Sequence, residues 1–160
     1  MKLTKFIALM LIVVLSCTAL VSCGDNELET SVFSVKSSSD WEITKRKVDG
    51  KEKEDQVYVL KGGTDANSCP GLLISYFSDP SQYKDEKGFY KDAKDVSSIS
   101  AGDRTWEGYT YSLFGKKEAC LTAKEGSGLW VCKFSLDKGG ETVSIDESDV
   151  KDILASLKLK

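Results

Sequence analysis

Three sets of side chains in this chain could do chemistry. Cys69, Cys120 and Cys132 are thiols well downstream of the N-terminus. Ser81 and Lys84, Ser135 and Lys138, and Ser148 and Lys151 fall at Ser-x-x-Lys spacing, and 25 acidic residues guarantee close carboxylate pairs. Each set needs help to react. A thiol or hydroxyl needs a neighbouring base, and histidine is the usual one; it is also the commonest metal ligand. The chain contains no histidine. That removes Ser-His-Asp and Cys-His catalysis, His-ligated zinc and the glutamate-histidine metalloprotease motif together. What remains is a bare thiol, a Ser-Lys pair or a carboxylate pair.

None of the three stands out. A chain this rich in serine and lysine yields Ser-x-x-Lys by chance, and the companion motifs of the penicillin-binding enzymes are missing. Asp146, Glu147, Asp149 and Asp152 read as helix-start and solvent-face residues rather than glycosidase acids. Asp137 to Asp146 lacks the ligand spacing of a calcium loop. Without a Cys-x-x-Cys pair, a redox enzyme is not expected. Gly62-Gly63 and Gly139-Gly140 are turn glycines, because no helix follows where a phosphate cradle requires one. No cofactor and no metal is therefore expected, and the reading is of a protein that is not an enzyme.

The N-terminus carries an address. Met1 to Lys5 is short and basic, and residues 6–21 are apolar apart from Ser16, Cys17 and Thr18. This run is shorter than the roughly 20 residues a spanning helix needs and has signal-peptide flanks. It ends in Leu20-Val21-Ser22-Cys23 followed by Gly24, which resembles the bacterial lipobox. The resemblance implies lipidation of the Cys23 thiol by diacylglycerol and cleavage before Cys23. Val14-Leu15-Ser16-Cys17 is a poorer match, since cleavage there would leave Ala19-Leu20-Val21 on the mature chain. The expected organisation is a signal peptide over 1–22, a lipidated tether over 23–30 and one α+β domain over 31–160. Seven extended residues over 24–30 would reach at most about 25 Å. The expected location is a bacterial cell membrane or outer membrane, facing away from the cytoplasm.

Outside the cytoplasm a disulfide is permissible. Cys120 and Cys132 sit on two arms of a hairpin predicted around Gly126. A three-residue loop puts them opposite one another, whereas a four-residue loop puts Cys132 opposite Leu121 and Cys120 on the other face. Cys69 paired with either is the alternative. One disulfide and one free thiol is expected, with three thiols packed as small hydrophobes the competing possibility.

Composition fits one globular domain, with 29% charged and 41% hydrophobic residues among 160. The formal charge of -3 becomes about -5 without Lys2 and Lys5. Basic residues are scattered among acidic ones, so nucleic acid is not an expected partner. The partners expected are membrane lipid through Cys23 and an envelope protein or small ligand.

Period-2 patterning predicts strands at 41–48, 56–60, 104–114, 119–123 and 129–136, and 32–35 is a short apolar stretch. The apolar run Leu72 to Phe77 suits a central strand covered on both faces. The charged stretch 49–55 reads as a hairpin loop and 61–67 as another, while 78–95 is a short helix or a long loop. Val150, Ile153, Leu154 and Leu157 predict an amphipathic helix, capped by Ser144 with Glu147 or by Asp146. The expected fold is α+β, an antiparallel sheet of about six strands with a C-terminal helix packed on one face. Trp41, Trp106, Tyr109, Tyr111 and Trp130 could line a groove but more simply fill the core.

Asp40-Trp41, the block Asp103-Arg104-Thr105-Trp106-Glu107-Gly108-Tyr109-Thr110-Tyr111 and the ending Ile153-Leu154-Ala155-Ser156-Leu157 resemble the PsbP-like group. That group is an α-β-α sandwich shared by photosystem PsbP proteins, the Ran-binding MOG protein and many bacterial lipoproteins. The likeness covers roughly 30–160, though the proline that often precedes the tryptophan is absent and the middle helix has no counterpart in 78–95. It implies a non-catalytic accessory or binding domain and transfers no functional residue. An inhibitor or immunity lipoprotein, or an envelope enzyme using carboxylates or a thiol, are the alternatives.

Overall fold

The computed structural model describes residues 25–160; Cys23 and the expected signal peptide lie outside the described residues. The strands are β1 (Asn26–Glu29), β2 (Phe33–Ser37), β3 (Trp41–Val48), β4 (Lys51–Lys61), β5 (Gly71–Phe77), β6 (Lys94–Asp95), β7 (Ile99–Ala101), β8 (Arg104–Leu113), β9 (Lys116–Glu125) and β10 (Gly128–Ser135). Short strands β11 (Asp137–Lys138) and β12 (Glu141–Thr142), the helix α1 (Ser148–Ser156) and β13 (Lys158–Leu159) complete the chain. The main sheet runs β3-β4-β5-β10-β9-β8-β6, with β7 also paired to β8. A smaller sheet, β1-β2-β13, shares one of its faces with α1. The fold is α+β, antiparallel, with the helix on one side.

Alternation along each strand builds two unequal faces. Trp130, Cys132 and Phe134 of β10 point to the helix side, where they meet Leu72, Ile74, Leu121 and Ala119. Phe33 of β2 lies edge-on to Trp130 with centroids 5.0 Å apart. From α1, Val150, Ile153 and Leu154 enter the same core, as the 3.6 period requires. Trp41, Trp106 and Trp130 are all 0% exposed. On the other face, Tyr109, Tyr111, Cys120 and Val131 form a smaller cluster.

Three local expectations are corrected. The tether over 23–30 is in part a strand: β1 pairs with β2, Leu28 packs on the core, and Asn26 Nδ2 donates to the Trp41 carbonyl at 2.6 Å. The loop expected over 49–55 is mostly strand. Asp49 and Gly50, with φ of 51° and 75°, make a two-residue turn, and Lys45 bridges to Glu54 at 2.6 Å across the ribbon. The helix starts later than Ser144 or Asp146 would place it, with Glu147 at the N-cap. One arm of the expected capping box survives, since the Ser144 N–H donates to Glu147 Oε2 at 3.2 Å. Residues 78–93 hold no α-helix. Two single 3-10 turns, Pro80–Gln82 and Lys87–Phe89, carry them over the sheet as a strap.

Arg104, at the start of β8, is 8% exposed. Its Nε donates to Glu125 Oε2 at 2.8 Å and its Nη2 to the Leu157 carbonyl at 2.9 Å, where α1 ends. The Trp130 indole N–H donates to the same Glu125 oxygen, and the guanidinium lies 5.7 Å from the Trp130 ring centroid. Removing one partner strands the others in a dry site, so Arg104→Ala is expected to cost about 3 kcal/mol, read as a lowered urea midpoint. Arg104→Lys should recover little, because the planar fork is lost. A cost below about 1 kcal/mol would contradict this role.

Candidate functional site

The expected Cys120–Cys132 disulfide does not form. The β9–β10 turn is two residues long, so Cys132 pairs with Leu121 and Cys120 with Lys133. The two thiols therefore point to opposite faces, Cys132 into the main core and Cys120 into the smaller cluster. Cys69 lies in the loop before β5, half-buried, and is also free. Desolvation pushes the Cys120 thiol up, opposed in part by the Tyr83 hydroxyl 3.4 Å away. Burial pushes Cys132 up further. Neither is poised as a thiolate at neutral pH.

Several of the other sequence candidates make structural contacts. Asp149 accepts from the Trp41 indole at 3.2 Å, and Glu147 pairs with Lys61 at 3.4 Å. In the Ser-x-x-Lys pairs, Ser135 Oγ lies 3.0 Å from Glu118 Oε1 while Lys138 Nζ donates to the Ala66 carbonyl at 2.7 Å; Ser81 Oγ bonds Asp79. The tryptophans are core. Tyr109 and Tyr111 belong to the strap-side cluster, and Tyr111 also lines an open trough beside it.

What the sequence does not announce is a trough on the strap side of the sheet, with a volume of about 300 Å³. Its floor follows from register. Tyr58, Leu73 and Lys133 are cross-strand neighbours on β4, β5 and β10, and Ser135, Glu118 and Tyr111 are neighbours on β10, β9 and β8. One wall is the 61–70 loop with Ala66 and Cys69, beside Lys138 of β11; the other is the strap, through Glu86 and Tyr90. The strap packs over the β8–β9–β10 side of this face and the Phe77 end of β5, leaving Tyr58 and Leu73 half-buried. Among the described residues, its turn hydrogen bonds run within itself. Side chains hold it down. Tyr90 stacks on Tyr111 with centroids 3.9 Å apart, Tyr83 lies 5.8 Å from Phe77, and Glu86 pairs with Lys133 at 2.8 Å.

An aromatic pair contributes about 0.5–1.5 kcal/mol and a half-exposed ion pair less, so the strap is held by several modest side-chain contacts. Within the trough, desolvation holds the Glu118 carboxyl above its ordinary value, opposed by Ser135 and Lys138. The site thus combines the apolar surfaces of Tyr58, Leu73 and Tyr111 with the Lys133–Glu86 pair, Lys138 and a Glu118 carboxyl that resists ionisation. It can hold a small molecule with an apolar body and an acceptor group. It has no contiguous sequence signature, because its residues come from six strands, the 61–70 loop and the strap.

No protein-family model matches the chain, and no curated protein does. Among solved structures, a protein of Bacteroides thetaiotaomicron is similar with a TM-score of 0.50 at 16% identity, over 86% of this chain and 49% of that one. This chain therefore spans about half the length of that protein, and the likeness is one of fold alone. The cyanobacterial PsbP of Synechocystis overlaps more loosely, with a TM-score of 0.44 at 11% identity over 89% of this chain and 96% of that one.

Two measurements probe this geometry. Under native conditions iodoacetamide should modify Cys69 first and leave Cys120 and Cys132 unreacted until denaturant is added, with three alkylatable thiols in the domain without reductant; one thiol in denaturant, rising to three only after reduction, would contradict it. Glu118, with a raised folded value, stabilises relative to its ionised form below the ordinary carboxylate pKa, and that stability is lost as pH rises through the folded value. Glu118→Gln should therefore raise the denaturation midpoint at pH 7 and give no gain near pH 4. An equal gain at both would mean that ionisation is not the cause.

Proposed function

We propose that the chain is an exported lipoprotein held to a membrane by diacylglycerol on Cys23, with a non-catalytic binding or accessory domain that takes its ligand in the strap-roofed trough. The observation that carries the binding site is the uneven cover of the sheet: the strap shields Tyr109, Tyr111 and Cys120 but leaves Tyr58 and Leu73 half-buried beside Lys133. Half-buried apolar side chains next to a lysine and a desolvated carboxyl are what a small amphipathic ligand would complete.

The missing histidines and the raised values of Cys120 and Cys132 support the non-catalytic reading, since nucleophile chemistry would need a base or a poised thiolate. The lipobox pattern at Cys23 and the basic, apolar leader support the anchor. Kinship with the PsbP-like group is supported by the patterns around Trp41 and Trp106 and by the helix that buries Ile153, Leu154 and Leu157. The ligand belongs to the envelope, as a small molecule or a segment of a neighbouring protein.

Anilinonaphthalene sulfonate joins an aromatic body to an anion and is a suitable probe. Titration should give one saturable site, weakened at least tenfold in Leu73→Asp and less in Lys133→Ala, with denaturation midpoints checked alongside. Unsaturable binding, or equal binding by Leu73→Asp, would count against the trough.

A further inference from the structure

The hairpin joining β8 to β9 turns on Phe114 and Gly115. Leu113 pairs with Lys116, so the turn is two residues long, with φ of 51° at Phe114 and 76° at Gly115. Both lie in the left-handed region that a tight hairpin of this kind demands, where asparagine or glycine is the ordinary first residue. A phenylalanine there is strained, and its ring is 97% exposed. Neither property helps the fold. Lys116 and Lys117 follow, both exposed. Phe89, 84% exposed, is kept near this corner because the adjacent Tyr90 stacks on Tyr111 and Asp92 accepts from Ser112.

Strand register places this tip at the end of the sheet where the described chain begins. Leu60, Gly71, Ser135, Glu118 and Tyr111 form one row across it. Trp41 pairs with Lys61 one step beyond that row, and Leu113 with Lys116 two steps beyond. Asn26 is bonded to the Trp41 carbonyl. Cys23 precedes Asn26 by three residues, a reach of about 10 Å. Trp41 and the tip lie at opposite edges of this twisted end, four to five strand spacings or about 20–24 Å apart, so a bilayer holding residue 23 meets the tip by lying across the end of the sheet.

We propose that the β8–β9 tip is a second membrane contact, an inference that rests on Cys23 being the anchor. Phe114 enters the headgroup region of the same bilayer, and Lys116 and Lys117 meet its anionic lipids. An exposed aromatic beside lysines is the composition that suits the interface, where the ring leaves water and the ammonium groups stay at the surface. One such tip binds weakly alone, and a nearby tether raises its effective concentration enough for it to act.

The tryptophans at 41, 106 and 130 are fully buried, so a new indole at the tip reports cleanly. Phe114→Trp is placed on phosphatidylcholine–phosphatidylglycerol vesicles carrying brominated acyl chains. In one arm the chain holds itself by its own lipid; in the other, residues 24–160, which contain every described strand and the helix, are held by an N-terminal histidine tag on nickel-chelating lipid. The expected result in both arms is a blue shift and bromolipid quenching of the new indole, at least halved by Lys116→Glu with Lys117→Glu. An unquenched, water-like indole on sedimented protein overturns the tip contact while leaving the anchor intact. A chain that sediments only in the nickel arm overturns the anchor, and quenching there still decides whether the tip meets lipid. A blue shift that follows protein concentration without vesicles assigns the tip to a second copy of the chain and overturns the proposal.

Discussion

The guanidinium of Arg104 ties the end of α1 to the sheet that the helix's apolar face already packs against. It binds the Glu125 carboxylate at the β9–β10 turn, the carbonyl that ends α1, and the face of Trp130 in the middle of the core. A helix end leaves carbonyls without intrahelical partners, and a buried one must find a donor. Here that donor is also the partner of the only carboxylate that receives the Trp130 indole proton. Ion pairs of this kind add little net stability compared with apolar packing, but each member is costly to leave alone. The network therefore fixes the end of α1 against β8 and the β9–β10 turn.

Once α1 and the β1–β2–β13 sheet close one face, the other is covered, among the described residues, chiefly by 78–93. That segment has no α-helix and few large apolar groups, and it is anchored by Tyr83, Tyr90 and Glu86 rather than by a backbone ladder. Partial cover has two chemical consequences. Cys120 is dry enough for its thiol to stay protonated, while Glu118, at the edge of the cover, is desolvated without being sealed. The trough is what is left between strap, sheet and the 61–70 loop. The smaller cluster and the trough are thus two outcomes of one shortage of covering chain.

Most of the architecture was legible where side chains report their own burial. Trp130, Cys132 and Phe134 alternate with Val131 and Lys133, and Val150, Ile153, Leu154 and Leu157 repeat at helical spacing, so both periods could be read. Legibility failed where pairing depends on neighbours. β1 has a single apolar residue, Leu28, and its strand character comes from the ladder with β2. The β3–β4 ribbon is held by Lys45, Glu52 and Glu54 across a turn at Asp49-Gly50, and charges on both faces hide a period of two. Cys120 and Cys132 turned on one residue of loop length, which patterning does not resolve. The trough was not legible at all, because cross-strand neighbours such as Leu73 and Lys133 are 60 residues apart in the chain.

The domain begins its first strand at Asn26, so whatever holds Cys23 holds the whole sheet close by. That this protein works at a membrane through Cys23 is tested most directly by the intact mass of the chain extracted from bacterial membranes, with Cys23→Ala alongside. A mass equal to residues 23–160 plus a diacylglyceryl group, absent in the variant, is the expected result. An unmodified mass, whether of the full chain or of a cleaved one, would contradict the anchor and with it the membrane setting proposed for the domain.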